Sequence, residues 1–144
     1  MESFSKKIEI RWSDLDPNFH VLHSRYYDFG AYCRMAFLTE NGFTPAVMMK
    51  HHVGPILFRE ECLFKREVTF GDEITINFKL EAISADYRKW TMVHEIFKNK
   101  DTLSAFITAE GSWLNTVERK VTIPPQEVID LLDKSPRTDS FRMT

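Results

Sequence analysis

Cysteine is scarce in this sequence: Cys33 and Cys62 are the only two, they form no ligand cluster, and a reducing, cytoplasmic setting is the simplest reading. Cations are not in excess either. Nineteen Lys and Arg against 21 Asp and Glu leave a formal charge of −2, so no nucleic-acid partner is expected, because such binding needs a basic face that displaces counterions. No apolar run nears the ~20 residues that span a bilayer. The start Met1-Glu2-Ser3-Phe4-Ser5-Lys6-Lys7 has no apolar stretch behind its charges, so neither a signal peptide nor stable membrane insertion is expected. Internal repeats, low-complexity tracts and interdomain linkers are also missing, which leaves one domain over residues 1–144.

What the chain does have is the material of a soluble core. Hydrophobic residues make up 43% of it and charged residues 28%, with twelve Phe, four Tyr and three Trp. From Lys6 to Ser13, Ile8, Ile10 and Trp12 alternate with charged residues, the period of a strand with one buried face. Asp14-Leu15-Asp16-Pro17-Asn18-Phe19 is dense in turn formers, and Pro17 biases Asp16 toward extended geometry. From about His23 to Asn41 the apolar residues fall at helical steps, with Ser24 as the expected N-cap and Gly42 as the stop. Ala46 to Met49 adds a helical turn.

Strands are expected over Ile56–Val68, Glu73–Ser84, Lys89–Lys98 and Leu103–Val117. In the second of these, Ile74, Ile76, Phe78 and Leu80 share a face; in the last, the small members among Leu103, Ala105, Ile107, Ala109, Gly111 and Trp113 would let a helix approach. Pro124-Pro125 opens a short helix to about Asp133, and 135–144 reads as a tail. The order is that of an α+β domain: a five-stranded curved antiparallel sheet wrapped around one long helix.

The stretch Ile10-Arg11-Trp12-Ser13-Asp14-Leu15-Asp16-Pro17-Asn18-Phe19-His20-Val21-Leu22-His23-Ser24-Arg25-Tyr26-Tyr27 resembles the opening of the 4-hydroxybenzoyl-CoA thioesterase-like proteins of the hot-dog fold, and Phe70-Gly71-Asp72-Glu73 is similar to their Gly-Asp turn. The resemblance implies an acyl-CoA thioesterase with Asp16 as its carboxylate, acting as general base or as nucleophile. It also implies that an N–H at His23 polarises the thioester carbonyl. Physically, a helix start offers unpaired N–H groups and the positive end of a dipole where oxyanion charge develops.

The His23 side chain is a second catalytic candidate, since related short-chain thioesterases often carry His there. Alone, Asp16 also reads as a turn-capping residue, and Asp14 as a structural one. Departures from the family pattern are Phe19, where many relatives have Gly, Leu22-His23, where many have an Asn pair, and Trp12, where Tyr is frequent.

Tyr26, Tyr27, Phe29 and Phe58 are candidates for contact with the acyl group. Arg88-Lys89 are the preferred cations for the nucleotide end of CoA, often met across the subunit boundary in relatives, and Lys65-Arg66 are the second choice. Adjacent His51-His52 would point to opposite sides of an extended chain, so no metal is expected; no cofactor follows beyond the coenzyme A of the substrate. By resemblance the chain is a homodimer or homotetramer. A hot-dog hydratase or dehydratase, or a non-catalytic acyl-thioester binder, stands as the alternative.

Overall fold

A computed structural model describes residues 3–144; Met1 and Glu2, part of the N-terminal segment considered above, lie outside the described residues. The elements are β1 Ser5–Ile8, a 3-10 turn Trp12–Asp14, α1 His23–Glu40, α2 Pro45–His51, β2 Val53–Phe64, β3 Ile74–Asn77, β4 Lys79–Ile83, β5 Lys89–Lys98, β6 Thr102–Asn115, β7 Lys120–Thr122, α3 Gln126–Asp133 and β8 Arg137–Met143.

Among the described residues one sheet holds all eight strands, against the five expected. Its centre runs β2-β6-β5, each pair antiparallel. The expected strand Glu73–Ser84 is interrupted at Phe78, so that β3 and β4 pair with β5 in succession. β1 covers the outer edge of β3, and β8 covers that of β4 in parallel. The segment 135–144 is therefore no tail. It closes a sheet edge that β1 leaves open, with Thr138 and Ser140 hydroxyls donating to the Glu81 carboxylate at 2.8 and 2.5 Å.

β1 is also shorter than expected. Its alternation stops because Arg11 to Asp14 fold into the 3-10 turn, and Trp12, expected on a buried face, is left largely exposed. α1 has no side-chain cap: Leu22, not Ser24, occupies the N-cap position. Its far end behaves as expected, with Gly42 at φ +97° and the Phe43 N–H returning to the Leu38 carbonyl.

The sheet curls round α1, whose Phe37 ring stacks on Phe78 at 3.9 Å. Gly30 lets the helix come close: a Cβ there would sit 3.3–3.5 Å from Arg34, Ile107 and His94. Under the helix, Arg34 Nη1 donates to His94 Nε2 at 3.2 Å, and the His94 Nδ1–H donates to the Asn77 carbonyl at 2.8 Å. Because that carbonyl can only accept, the proton of neutral His94 sits on Nδ1. Glu60 of β2 lies 3.9 Å from Arg34. At Gly111 the close neighbours are the Trp90 ring and the Ile56 carbonyl rather than a helix.

Candidate active site

The loop from Asp14 to Leu22 is tied down at both ends by its own backbone. Leu15 bridges Val21, His20 bridges Thr69, and the Val21 N–H donates to the Val68 carbonyl at 2.8 Å. Asp14, fully buried, anchors the base of the loop. Its carboxylate accepts from the Arg11 backbone N–H at 2.9 Å and from Arg11 Nη2 at 3.0 Å, and Arg25 Nε of the first helical turn lies at 3.4 Å. Burial alone would raise its pKa, but the Arg11 hydrogen bonds and the Arg11 and Arg25 charges hold it below the ordinary carboxylate value. The Asp14 carbonyl accepts the Leu22 N–H at 2.8 Å, which fixes where α1 begins.

Asp16 is half-buried on this loop. Its Oδ1 accepts the N–H groups of Asn18 at 2.8 Å and His20 at 3.1 Å, while Oδ2 has no protein partner among the described residues. Thus the turn-capping role is real and leaves one oxygen free. The N–H groups of His23 and Ser24, at the open end of α1, have no protein acceptor among the described residues.

A cavity of about 260 Å³ adjoins this end of the helix, with His20, His23, Tyr26, Phe64, Lys65 and Arg66 on its walls. Asp16 does not line it; its Oδ1 holds the backbone N–H of His20, which does. Tyr26 is buried, edge-on to Phe64 at 5.1 Å, and burial first of all pushes its phenol up to about 12, so it keeps its proton.

The other expected site residues are dispersed. Phe29 is buried and opens onto a different groove of about 510 Å³, shared with Arg11, Asp14 and Tyr32. Tyr27 packs against the core. Phe58 sits exposed at a bulge in β2; the bulge shifts the alternation, so Leu57 and then Glu60 turn toward the helix. Arg88 and Lys89 flank the start of β5, paired with Ser112, whereas the cavity wall lies beside Ala105. These two ends of β6 are roughly 23 Å apart at about 3.3 Å per residue.

Lys65-Arg66, the second choice for cations, are the basic pair that one chain brings to the cavity. The histidines His51 and His52 separate: His51 pairs with Glu127 of α3. Among the described residues no three His, Cys, Asp or Glu side chains gather as metal ligands, and no helix is long and apolar enough to cross a membrane.

Sequence reasoning passed over the pairing of Arg34 with His94. A Gly four residues before an Arg on the apolar face of α1 was the available signal.

Several solved structures share the fold of this chain. A hypothetical protein from Staphylococcus aureus in complex with CoA has a TM-score of 0.83 at 15% identity, over 95% of this chain and 88% of that one. A 1,4-dihydroxy-2-naphthoyl-CoA thioesterase from Synechocystis has a TM-score of 0.80 at 15% identity, over 92% and 96%. A gentisyl-coenzyme A thioesterase has 0.79 at 20%, over 90% and 99%. At these identities the likeness is one of fold. No curated protein matches significantly. The sequence profile of the thioesterase-like superfamily matches residues 10–132, from just beyond β1 into α3. The chain therefore belongs to the thioesterase-like superfamily and has its hot-dog fold.

Proposed function

We propose that the chain hydrolyses an acyl-CoA thioester to the free acid and CoA. The observation that carries this reading is that the Asp14–Leu22 loop holds a carboxylate with one free oxygen, Asp16 Oδ2, and leads directly into the unpartnered N–H groups at the start of α1, which adjoin the cavity. The carbonyl oxygen of the thioester takes hydrogen bonds from the His23 and Ser24 N–H groups, which stabilise the negative charge that grows as the carbonyl is attacked. Asp16 removes a proton from the attacking water, or attacks directly to give a mixed anhydride that water then opens. In either route a C–O bond forms, the C–S bond breaks, and the CoA thiolate leaves and is protonated. The His23 side chain, exposed on the cavity wall, orients water or delivers that proton. Tyr26, Tyr27, Phe29 and Phe58 are retained as candidate contacts of the acyl group, with Tyr26 the one that meets the cavity in a single chain. No cofactor is needed beyond the CoA carried by the substrate.

The names of the structural relatives, two of them aroyl-CoA thioesterases, support the CoA ester and make aromatic acyl groups the first to assay. A homodimer belongs to the same reading. Among the described residues β2 pairs with β6 alone, and Leu57, Phe58, Leu63 and Phe64 are exposed along it. An open apolar edge invites a second copy. Antiparallel pairing there would bring the partner's β5 end, with its Arg88 and Lys89, toward this chain's cavity. The two unpaired thiols fit a cytoplasmic setting.

Thiol release from a panel of short, long and aromatic acyl-CoAs tests the reading. Asp16→Asn should lower kcat by about 10²–10⁴-fold. One observation favours a second reading, a non-catalytic acyl-thioester binder: Asp16 Oδ1 is committed to its own turn and the side chain does not line the cavity. Binding without release from any member of the panel would establish the binder. Water addition to an enoyl-CoA would establish a hydratase.

A further inference from the structure

Trp12, Phe19 and Phe70 come from separate stretches of chain and meet on the surface beside the Asp16 loop. The Trp12 ring lies 5.8 Å from Phe19 and 6.3 Å from Phe70, and the three side chains remain 71%, 55% and 57% exposed.

Two features set this cluster apart from incidental packing. Phe19 has φ +64°, a left-handed backbone that glycine adopts freely and a bulky residue adopts at a cost. Since its ring stays exposed, burial does not offset that cost. The cluster is also continuous with the cavity. His20, next to Phe19, lines the cavity, and its backbone bridges Thr69, next to Phe70. Lys65 and Arg66 stand on the same cavity wall and supply the positive charge that phosphates require.

Resting on the thioesterase reading, we infer that the Trp12–Phe19–Phe70 platform stacks the adenine ring of CoA. The reacting carbonyl and its acyl group must leave water, whereas the nucleotide stays wet, so an exposed platform suits the nucleotide end. Every base has a π-face, and aromatic side chains hold it without needing hydrogen-bond readout. The expected Arg88 and Lys89 of a second copy are compatible with this contact, because the 3′-phosphate and the diphosphate of CoA are separate anions.

Trp12 is a built-in reporter, since Trp90 and Trp113 are only 3% and 0% exposed. Free CoA should change the fluorescence and shield Trp12 from iodide, and pantetheine, which lacks the nucleotide, should do neither. Phe19→Gly and Phe70→Ala should each weaken CoA binding by at least about five-fold. In turnover they should raise KM for acyl-CoA toward that for acyl-pantetheine, with kcat within about two-fold of the wild type. Phe19→Gly should do so with an unchanged or higher melting temperature, a combination that a structural role would not produce.

Equal responses to CoA and pantetheine, or unchanged CoA affinity in both variants, would overturn the inference. So would a Trp12 already shielded from iodide without ligand, which would mean that a second copy covers the platform. CoA binding to the platform without thiol release from any acyl-CoA would reject hydrolysis and leave the platform standing. Thiol release with an unaltered KM in both variants would do the reverse.

Discussion

His94 titrates far from its ordinary value because burial penalises its charged form, the Arg34 charge adds to that, and the Asn77 carbonyl only partly opposes them; its pKa is pushed down to about 3. The folded protein thus refuses a proton that the unfolded chain takes up below about 6.5. Stability tied to neutral His94 is complete above that pH and is lost as pH falls toward the folded value, at up to about 1.4 kcal/mol per pH unit. Thermal melts between about pH 6.5 and 4 should show this slope, and His94→Gln should flatten it; an unaltered slope would place the acid sensitivity elsewhere. Asp14 has the same sign, being held below 3.8, so its contribution is present above that pH and disappears beneath it. Asp14→Asn should cost about 1–3 kcal/mol in urea unfolding. It should also lower kcat, because Asp14 joins the base of the Asp16 loop to the start of α1. A variant with wild-type stability would show that the Arg11 and Arg25 contacts contribute nothing.

Strand β6 is where backbone approach matters most. A Cβ at Gly111 would lie 2.2 Å from the Ile56 carbonyl oxygen and 2.4 Å from the Trp90 ring, so Gly111→Ala must push apart β2, β5 or both. The expected loss is about 1–3 kcal/mol or more, read from chemical denaturation together with a change in Trp90 fluorescence. The small residues of β6 were visible in the sequence, and α1 does approach that face at Ile107, between Ala105 and Ala109; what was not visible is that Gly111 admits a neighbouring indole and strand instead. β2 was likewise legible as a strand, while its bulge was not, because alternation assumes unbroken register. Phe58, a candidate contact of the acyl group, therefore lies exposed at the bulge. β5 could be read to the residue, since Lys89–Lys98 is bounded by polar turns at both ends.

At the scale of the whole molecule, β1 and β8 together cover one side of the sheet, and β2 leaves the other open. A dimer through β2 predicts that a charge there, Leu63→Lys, converts an assembled protein to monomers in sedimentation. If Arg88 and Lys89 of the second copy meet the substrate, the same change should raise KM for acyl-CoA. A wild-type protein that sediments as a monomer would remove both expectations.

The sequence by itself determined the α+β order, the long helix, the carboxylate-bearing loop and the family opening, because each rests on short-range pattern: period, turn chemistry and motif spacing. Only the tertiary structure decided that His20 and not Asp16 lines the cavity wall, that Lys65-Arg66 and not Arg88-Lys89 reach the cavity within one chain, and that the last residues form a strand. Those facts depend on which distant segments become neighbours. Sheet pairing sets that over separations to which a local period is blind.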